Sequence, residues 1–94
     1  MRGVVFTGNR EAAIREFPDP QAGPGEAIVK IRASGLCGSD LHRYRGSEPS
    51  EMITGHEPCG EIAELGPGAP AGLSRGDRVM VHHYQGCGFC EICA

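Results

Sequence analysis

Two runs of proline and glycine, PDPQAGPGE at 18–26 and GPGAPAG at 66–72, set the scale of structure this chain can build. Each proline fixes its own φ, restricts the residue before it and donates no hydrogen bond, so both runs read as turns or loops. Fifteen glycines and seven prolines in 94 residues extend the same pressure along the rest of the sequence. Long helices are disfavoured, and short strands joined by tight turns are favoured. A chain of this length makes one small domain that buries roughly 60–65% of its unfolded surface, so its core is thin.

Between the breaks the apolar pattern is mostly that of strands. Gly3 to Thr7 reads as a first strand in which Val4, Val5 and Phe6 pair and bury, with Gly8 and Asn9 as its turn. Ala12 to Phe17 is ambiguous between a second strand and a short irregular piece. Ala27 to Ala33 alternates, putting Val29 and Ile31 on one face and Lys30 and Arg32 on the other, as in a half-buried strand. Gly60 to Leu65 and the apolar RVMV at 78–81 are two further short strands. A short helix can start at Leu41, with Ser39 or Asp40 as its N-cap.

Chemistry concentrates in two places. Cys37, with His56 and Glu57 of TGHEPCGE, offers a thiolate, an imidazole and a carboxylate of the kind zinc accepts in a catalytic site. A cysteine and a histidine this far apart also fit a buried thiol and a packed ring, so the pair alone is weak. In a regular strand His56 and Glu57 would face opposite sides. Either the chain bends at Gly55, or His56 is the constant ligand and Glu57 sits behind it or binds in some states. Ser39 and His42 are three apart and share a face of one helical turn, so a proton path from a hydroxyl near Cys37 to an outer imidazole is available. The bland alternative is a capping serine and a surface histidine.

The second place is GCGFCEIC at 86–93, where Cys87, Cys90 and Cys93 are each separated by two residues. Three such thiols in a glycine-rich segment supply all but one ligand of a four-coordinate structural zinc. A redox-active CxxC pair and an iron–sulfur cluster are the competitors; no thioredoxin-like unit surrounds the first, and no Cys-Pro follows for the second. An odd count of five clustered cysteines, with no export signal, speaks for thiolates in a reducing, cytoplasmic compartment rather than for disulfides. Cys59 takes no role beyond filling core space. The formal charge of −3 offers no polycation for nucleic acid or anionic lipid, and no apolar stretch approaches a spanning helix. Neither nucleic acid nor membrane is therefore an expected partner.

CGSDLH at 37–42, GHEPCGEI at 55–62, the GPG of the following turn, GDRV at 76–79 and GCGFCEIC at 86–93 together resemble the amino-terminal part of the zinc-dependent medium-chain alcohol dehydrogenases. The resemblance spans nearly the whole chain, and it implies a mainly β fold with short helices, a GroES-like partly open β-barrel. Residues 1–94 would be the first part of that catalytic domain, with most of a structural-zinc lobe from about residue 86.

The resemblance makes Cys37 and His56 ligands of the catalytic zinc, a site of Cys₂His type in this family. Glu57 matches the glutamate that stands beside the zinc and can bind it during ligand exchange, and Asp40 the carboxylate that receives a hydrogen bond from the ring of His56. Ser39 matches the hydroxyl that touches substrate oxygen, and His42 the outer member of the proton relay. Cys87, Cys90 and Cys93 match three ligands of the structural zinc, whose fourth cysteine follows eight residues later in the family.

Nothing in 1–94 resembles the GxGxxG loop of a Rossmann-type domain, so the chain reads as a fragment that is inactive alone. The implied full-length protein is a zinc-dependent, NAD- or NADP-linked oxidoreductase acting on a simple alcohol, polyol, sugar or amino alcohol, as a homodimer or homotetramer. A non-enzymatic zinc-binding GroES-like module is the alternative, one that gives no reason for Ser39 and His42 beside the Cys/His/Glu site.

Overall fold

A computed structural model describes residues 1–93. The described residues contain one short helix and five strands in two small antiparallel sheets: β1 (Arg2–Gly8) pairs with β2 (Glu11–Glu16), and β3 (Ala27–Gly35), β4 (Glu57–Leu65) and β5 (Arg78–Met80) lie in that order with β4 central. The ambiguous second segment is thus a strand. The helix α1 (Asp40–Arg45) sits in the excursion between β3 and β4. No helix among the described residues is long and apolar enough to cross a membrane.

The first hairpin closes with Gly8 opposite Glu11, so the two-residue loop is Asn9–Arg10, one position later than the sequence pattern places it. Both loop residues have positive φ, 55° and 66°, the left-handed pair that a tight hairpin requires to match strand twist. Val5 and Phe6 of β1 are buried, and with Ile62 of β4 they form the apolar core among the described residues.

Alternation in β3 does not become a buried face. Ile31 is 52% exposed, against the expected pairing of Val29 and Ile31 inside. The register slips between Ile28 and Val29, where Ala63 of β4 is the extra residue, and between Ile31 and Ala33, where Arg32 of β3 is. Val29 and Ile31 lie between the slips and share a face that is half-buried at Val29 and open at Ile31. β3 is also an edge strand, with a partner on one side only. At the opposite edge β5 is shorter than RVMV suggests, and Met80 is 87% exposed.

Register at the other end of β3 positions the chemistry. Gly35, the last residue of β3, pairs with Glu57, the first of β4. Cys37 therefore follows the end of one strand while His56 immediately precedes the start of its neighbour. The eighteen residues between them leave and return at the same point of the sheet.

Candidate metal centre

Cys37, His56 and Glu57 each present a donor atom, and the three atoms lie within 4.8 Å of one another. The bend that allows this is at Gly55, whose φ of +99° is one that residues with a Cβ rarely adopt. It turns His56 out of line with β4, so the imidazole and the Glu57 carboxylate converge instead of facing opposite sides. The bend at Gly55 is thus present.

Asp40 holds the two halves together. Only 6% exposed, it accepts a hydrogen bond from the Cys37 backbone N–H through Oδ2 at 2.9 Å, while its Oδ1 stands 3.3 Å from Nδ1 of His56. A carboxylate at Nδ1 leaves Nε2 free to ligate and strengthens it as a donor. Asp40 is the first residue of α1. Ser39 occupies the N-cap position, but its hydroxyl makes no capping bond. Its backbone is already helical, at φ −68° and ψ −24°, whereas a capping serine adopts an extended conformation.

The uncapped hydroxyl is turned to other use. Ser39 is the largest influence holding the Cys37 thiol below its ordinary pKa, through its side chain and then its backbone, with the His56 ring next. Reciprocally, the hydrogen bond to Cys37 raises His56, reinforced by the charges of Asp40, Cys37 and Glu57. Both shifts favour the charged forms of the pair, and a divalent cation would compete with any proton on the ligating imidazole nitrogen. The donor set of one thiolate, one imidazole and one carboxylate fits zinc.

A cavity of about 610 Å³ opens beside this cluster, lined by Ser39, Arg43, Thr54, His56, His83 and Tyr84 among others. His83 and Tyr84 carry no site role in the sequence reading. Their rings stack at 4.0 Å between centroids, and His83 lies 5.2 Å from the ring of His56. Their signal was positional: HHY directly follows the last strand and precedes the cysteine run. His42 is placed apart from Ser39, lining a separate recess with Phe6 and Pro49. The helical turn thus puts the two residues close along the chain but aims them into different cavities.

The second cluster is assembled locally. Cys87, Cys90 and Cys93 also bring their sulfur atoms within 4.8 Å of one another, with Cys87 and Cys93 at 3.7 Å. All three are exposed free thiols. Backbone N–H groups of Phe89 and Cys90 aimed at the sulfur lower the Cys87 thiol to about 7. Cys59 lies on β4, half-buried and free.

Residues 23–94 match the family profile described as the alcohol dehydrogenase GroES-like domain. The chain belongs to the alcohol dehydrogenase GroES-like domain family. It is 38% identical to an uncharacterized zinc-type alcohol dehydrogenase-like protein of Escherichia coli, over 99% of this chain and 29% of that protein. A sorbitol dehydrogenase of Halalkalibacterium halodurans is 40% identical over 99% of this chain and 28% of its own length.

Among solved structures, an alcohol dehydrogenase from a Thermus species superposes with a TM-score of 0.84 at 36% identity, covering 99% of this chain and 28% of that one. The chain spans about a quarter of the length of the curated relatives it matches. The GroES-like fold expected from the motifs is therefore the fold observed: open antiparallel sheets, mainly β, with one short helix. Oxidoreductases of the zinc-type alcohol dehydrogenase class are its relatives. The profile begins after the β1–β2 hairpin, although the relatives match through it.

Proposed function

We propose that this chain is the metal-holding and proton-handling part of a zinc-dependent, NAD- or NADP-linked oxidoreductase that interconverts an alcohol with its aldehyde or ketone. The observation that carries the reading is the Asp40 bridge, one buried carboxylate that meets both the Cys37 backbone and the His56 ring beside a converging Glu57. A merely packed cysteine and histidine would have no need of it.

In this reading Cys37 and His56 would hold the catalytic zinc, with Glu57 as a further carboxylate within its reach. When bound, zinc supplies Lewis-acid polarisation of the substrate oxygen. The Ser39 hydroxyl, beside Cys37 and open to the cavity, accepts the substrate proton. Because His42 lines a different recess, a bridging water carries the proton from Ser39 to the His42 imidazole and outward. Asp40 moves no proton; it fixes the His56 tautomer. Cys87, Cys90 and Cys93 hold a structural zinc with one further ligand from elsewhere in the protein. The nicotinamide cofactor belongs to a dinucleotide-binding domain elsewhere in the whole protein, which works in the cytoplasm as a homodimer or homotetramer.

The cavity lining favours a small hydroxylated substrate. Ser39, Arg43, Thr54, His83 and Tyr84 all present polar atoms there, and relatives of this chain include a sorbitol dehydrogenase and an L-threonine 3-dehydrogenase. The deciding experiment is a screen of alcohols and polyols with NAD and NADP on the full-length polypeptide, followed by nicotinamide absorbance. Turnover should vanish on chelation and return with zinc. Oxidation that survives complete metal removal would overturn the proposal.

A further inference from the structure

The two halves of the metal centre are separated by a helix and a long loop, and both are anchored to one strand that lies ahead of the family profile's matched span. We propose that the β1–β2 hairpin is the template that sets the spacing of the Cys37–His56–Glu57 site, with Gly3 and Gly8 as its positioning residues. This rests on reading that cluster as the catalytic metal site.

The anchoring is made by main-chain bonds. At the hairpin tip, the Asn9 and Arg10 N–H groups donate to the carbonyls of Gly46 and Tyr44, at 2.7 and 2.8 Å. They satisfy carbonyls at the carboxyl end of α1 that the helix itself leaves unpaired. Their left-handed φ values aim both N–H groups at the helix. Along the edge of β1 not used by β2, the Phe6 and Val4 carbonyls accept from Ser50 N at 2.8 Å and Thr54 N at 2.9 Å. Thr54 is two residues before His56.

These bonds close a frame. From the hairpin tip the frame runs through α1 to Asp40, from Asp40 across to His56, and back through Thr54 to β1. A six-residue helix is a strut of about 9 Å, and β1 opposes it with a rise of about 3.3 Å per residue. Metal coordination tolerates only about 0.2 Å of error in ligand distance, so the frame's dimensions bear directly on affinity.

Two glycines keep it closed. Ile53 lies against Gly3, where a Cβ would meet Cγ1 and Cδ1 of Ile53 at 2.5 and 2.6 Å. At Gly8, with φ +90°, a Cβ would meet the main-chain oxygen of Ser47 at 2.6 Å. The first presses on a side chain three residues before His56, and the second on the backbone just beyond α1.

The test uses the full-length polypeptide, titrated with cobalt and followed by its absorption, which separates a mixed thiolate–imidazole site from one of thiolates. Gly3→Ala should weaken the Cys37 site about tenfold, in line with loss of a support behind metal ligands, and leave the Cys87 site unchanged. Adding Ile53→Ala to Gly3→Ala removes the two closest of the crowding atoms, leaving the Phe17 ring at 3.2 Å, and should restore affinity to within about twofold. Gly8→Ala should show the same selective loss, with no side-chain truncation to relieve it. Should Gly8→Ala fail to fold, the Gly3 pair decides. Equal weakening of both sites, or unchanged affinity in a folded Gly3→Ala protein, overturns the inference. A Cys37→Ser control that still binds two metals would instead overturn the reading on which it rests.

Discussion

Cys37, His56 and Glu57 meet across a sheet, a helix and a 21-residue excursion between β3 and β4, whereas Cys87, Cys90 and Cys93 meet within one short run that contains no strand or helix of its own. The first cluster needs the fold before it exists. Gly35 must pair with Glu57, Gly55 must turn, and Asp40 must be buried between the halves. The second needs only its own turns, closed by a Cys93 N–H to Cys90 carbonyl bond at 3.0 Å. The comparison teaches that the fold organises one site, while a bound metal would organise the other. Structural zinc sites contribute folding energy outright, since ligands brought together by the ion are otherwise held by little.

The sharpest way to break that comparison is to remove one thiol from each cluster in the full-length protein. Cys37→Ser should abolish one metal and lower turnover on the order of a thousandfold or more, the scale of several kcal/mol of transition-state stabilisation. Its melting temperature should change little, because Asp40 and the hairpin still hold the site's shape. Cys90→Ser should do the reverse. It should cost about 3 kcal/mol or more of stability, at the upper end of single-substitution effects, while the enzyme that stays folded keeps its first metal. Metal analysis with calorimetry checks both. Equal thermal losses in the two variants would mean that both sites are organised by their metal.

A smaller effect tests what the fold itself contributes. Asp40→Asn preserves volume and can still accept the Cys37 N–H bond, but it withdraws the negative charge facing His56 Nδ1. Metal affinity at the first site should fall about 10- to 100-fold, as when the partner behind a ligating histidine is lost. Competition with a chromophoric chelator measures it. The Cys87 cluster should be unaffected, and a parallel loss there would show that Asp40 acts through general stability.

Both clusters are legible in the sequence, for different reasons. CxxCxxC is legible by spacing alone, because its geometry is local. The Cys37 site is legible only as residue types, and its convergence hangs on Gly55, for which the sequence admits two outcomes. β1, β3, β4 and α1 follow from periodicity and turn residues. Burial does not, because the face that Val29 and Ile31 share is covered only at Val29, and alternation does not say what packs on a face. The hairpin's part in the frame is invisible for a deeper reason. Its bonds to Tyr44, Gly46, Ser50 and Thr54 are all main-chain, and no residue type announces them. His83 and Tyr84 are not legible as site residues, because aromatic residues after a strand are ordinary and it is the fold that lines the cavity with them.

The smallest effect is one of proton affinity. In the metal-free protein the Cys87 thiol is lowered from 9.0 to about 7 by backbone N–H groups of Phe89 and Cys90. Lowering a thiol's pKa favours its thiolate, so the thiolate should persist as pH falls until about 7 and protonate below that. Alkylation of Cys87 by iodoacetamide in zinc-depleted protein, read by mass spectrometry of the modified peptide, should therefore rise with a midpoint near 7. A midpoint near 9 would mean that the loop does not hold its N–H groups on the sulfur without metal, and the second site would then lack even local preorganisation. Zinc should suppress the reaction at every pH where it stays bound. The sign matters for uptake. A thiol already ionised at neutral pH releases less than a full proton when it binds metal, so zinc capture at this site should weaken less on mild acidification than an ordinary thiol would allow.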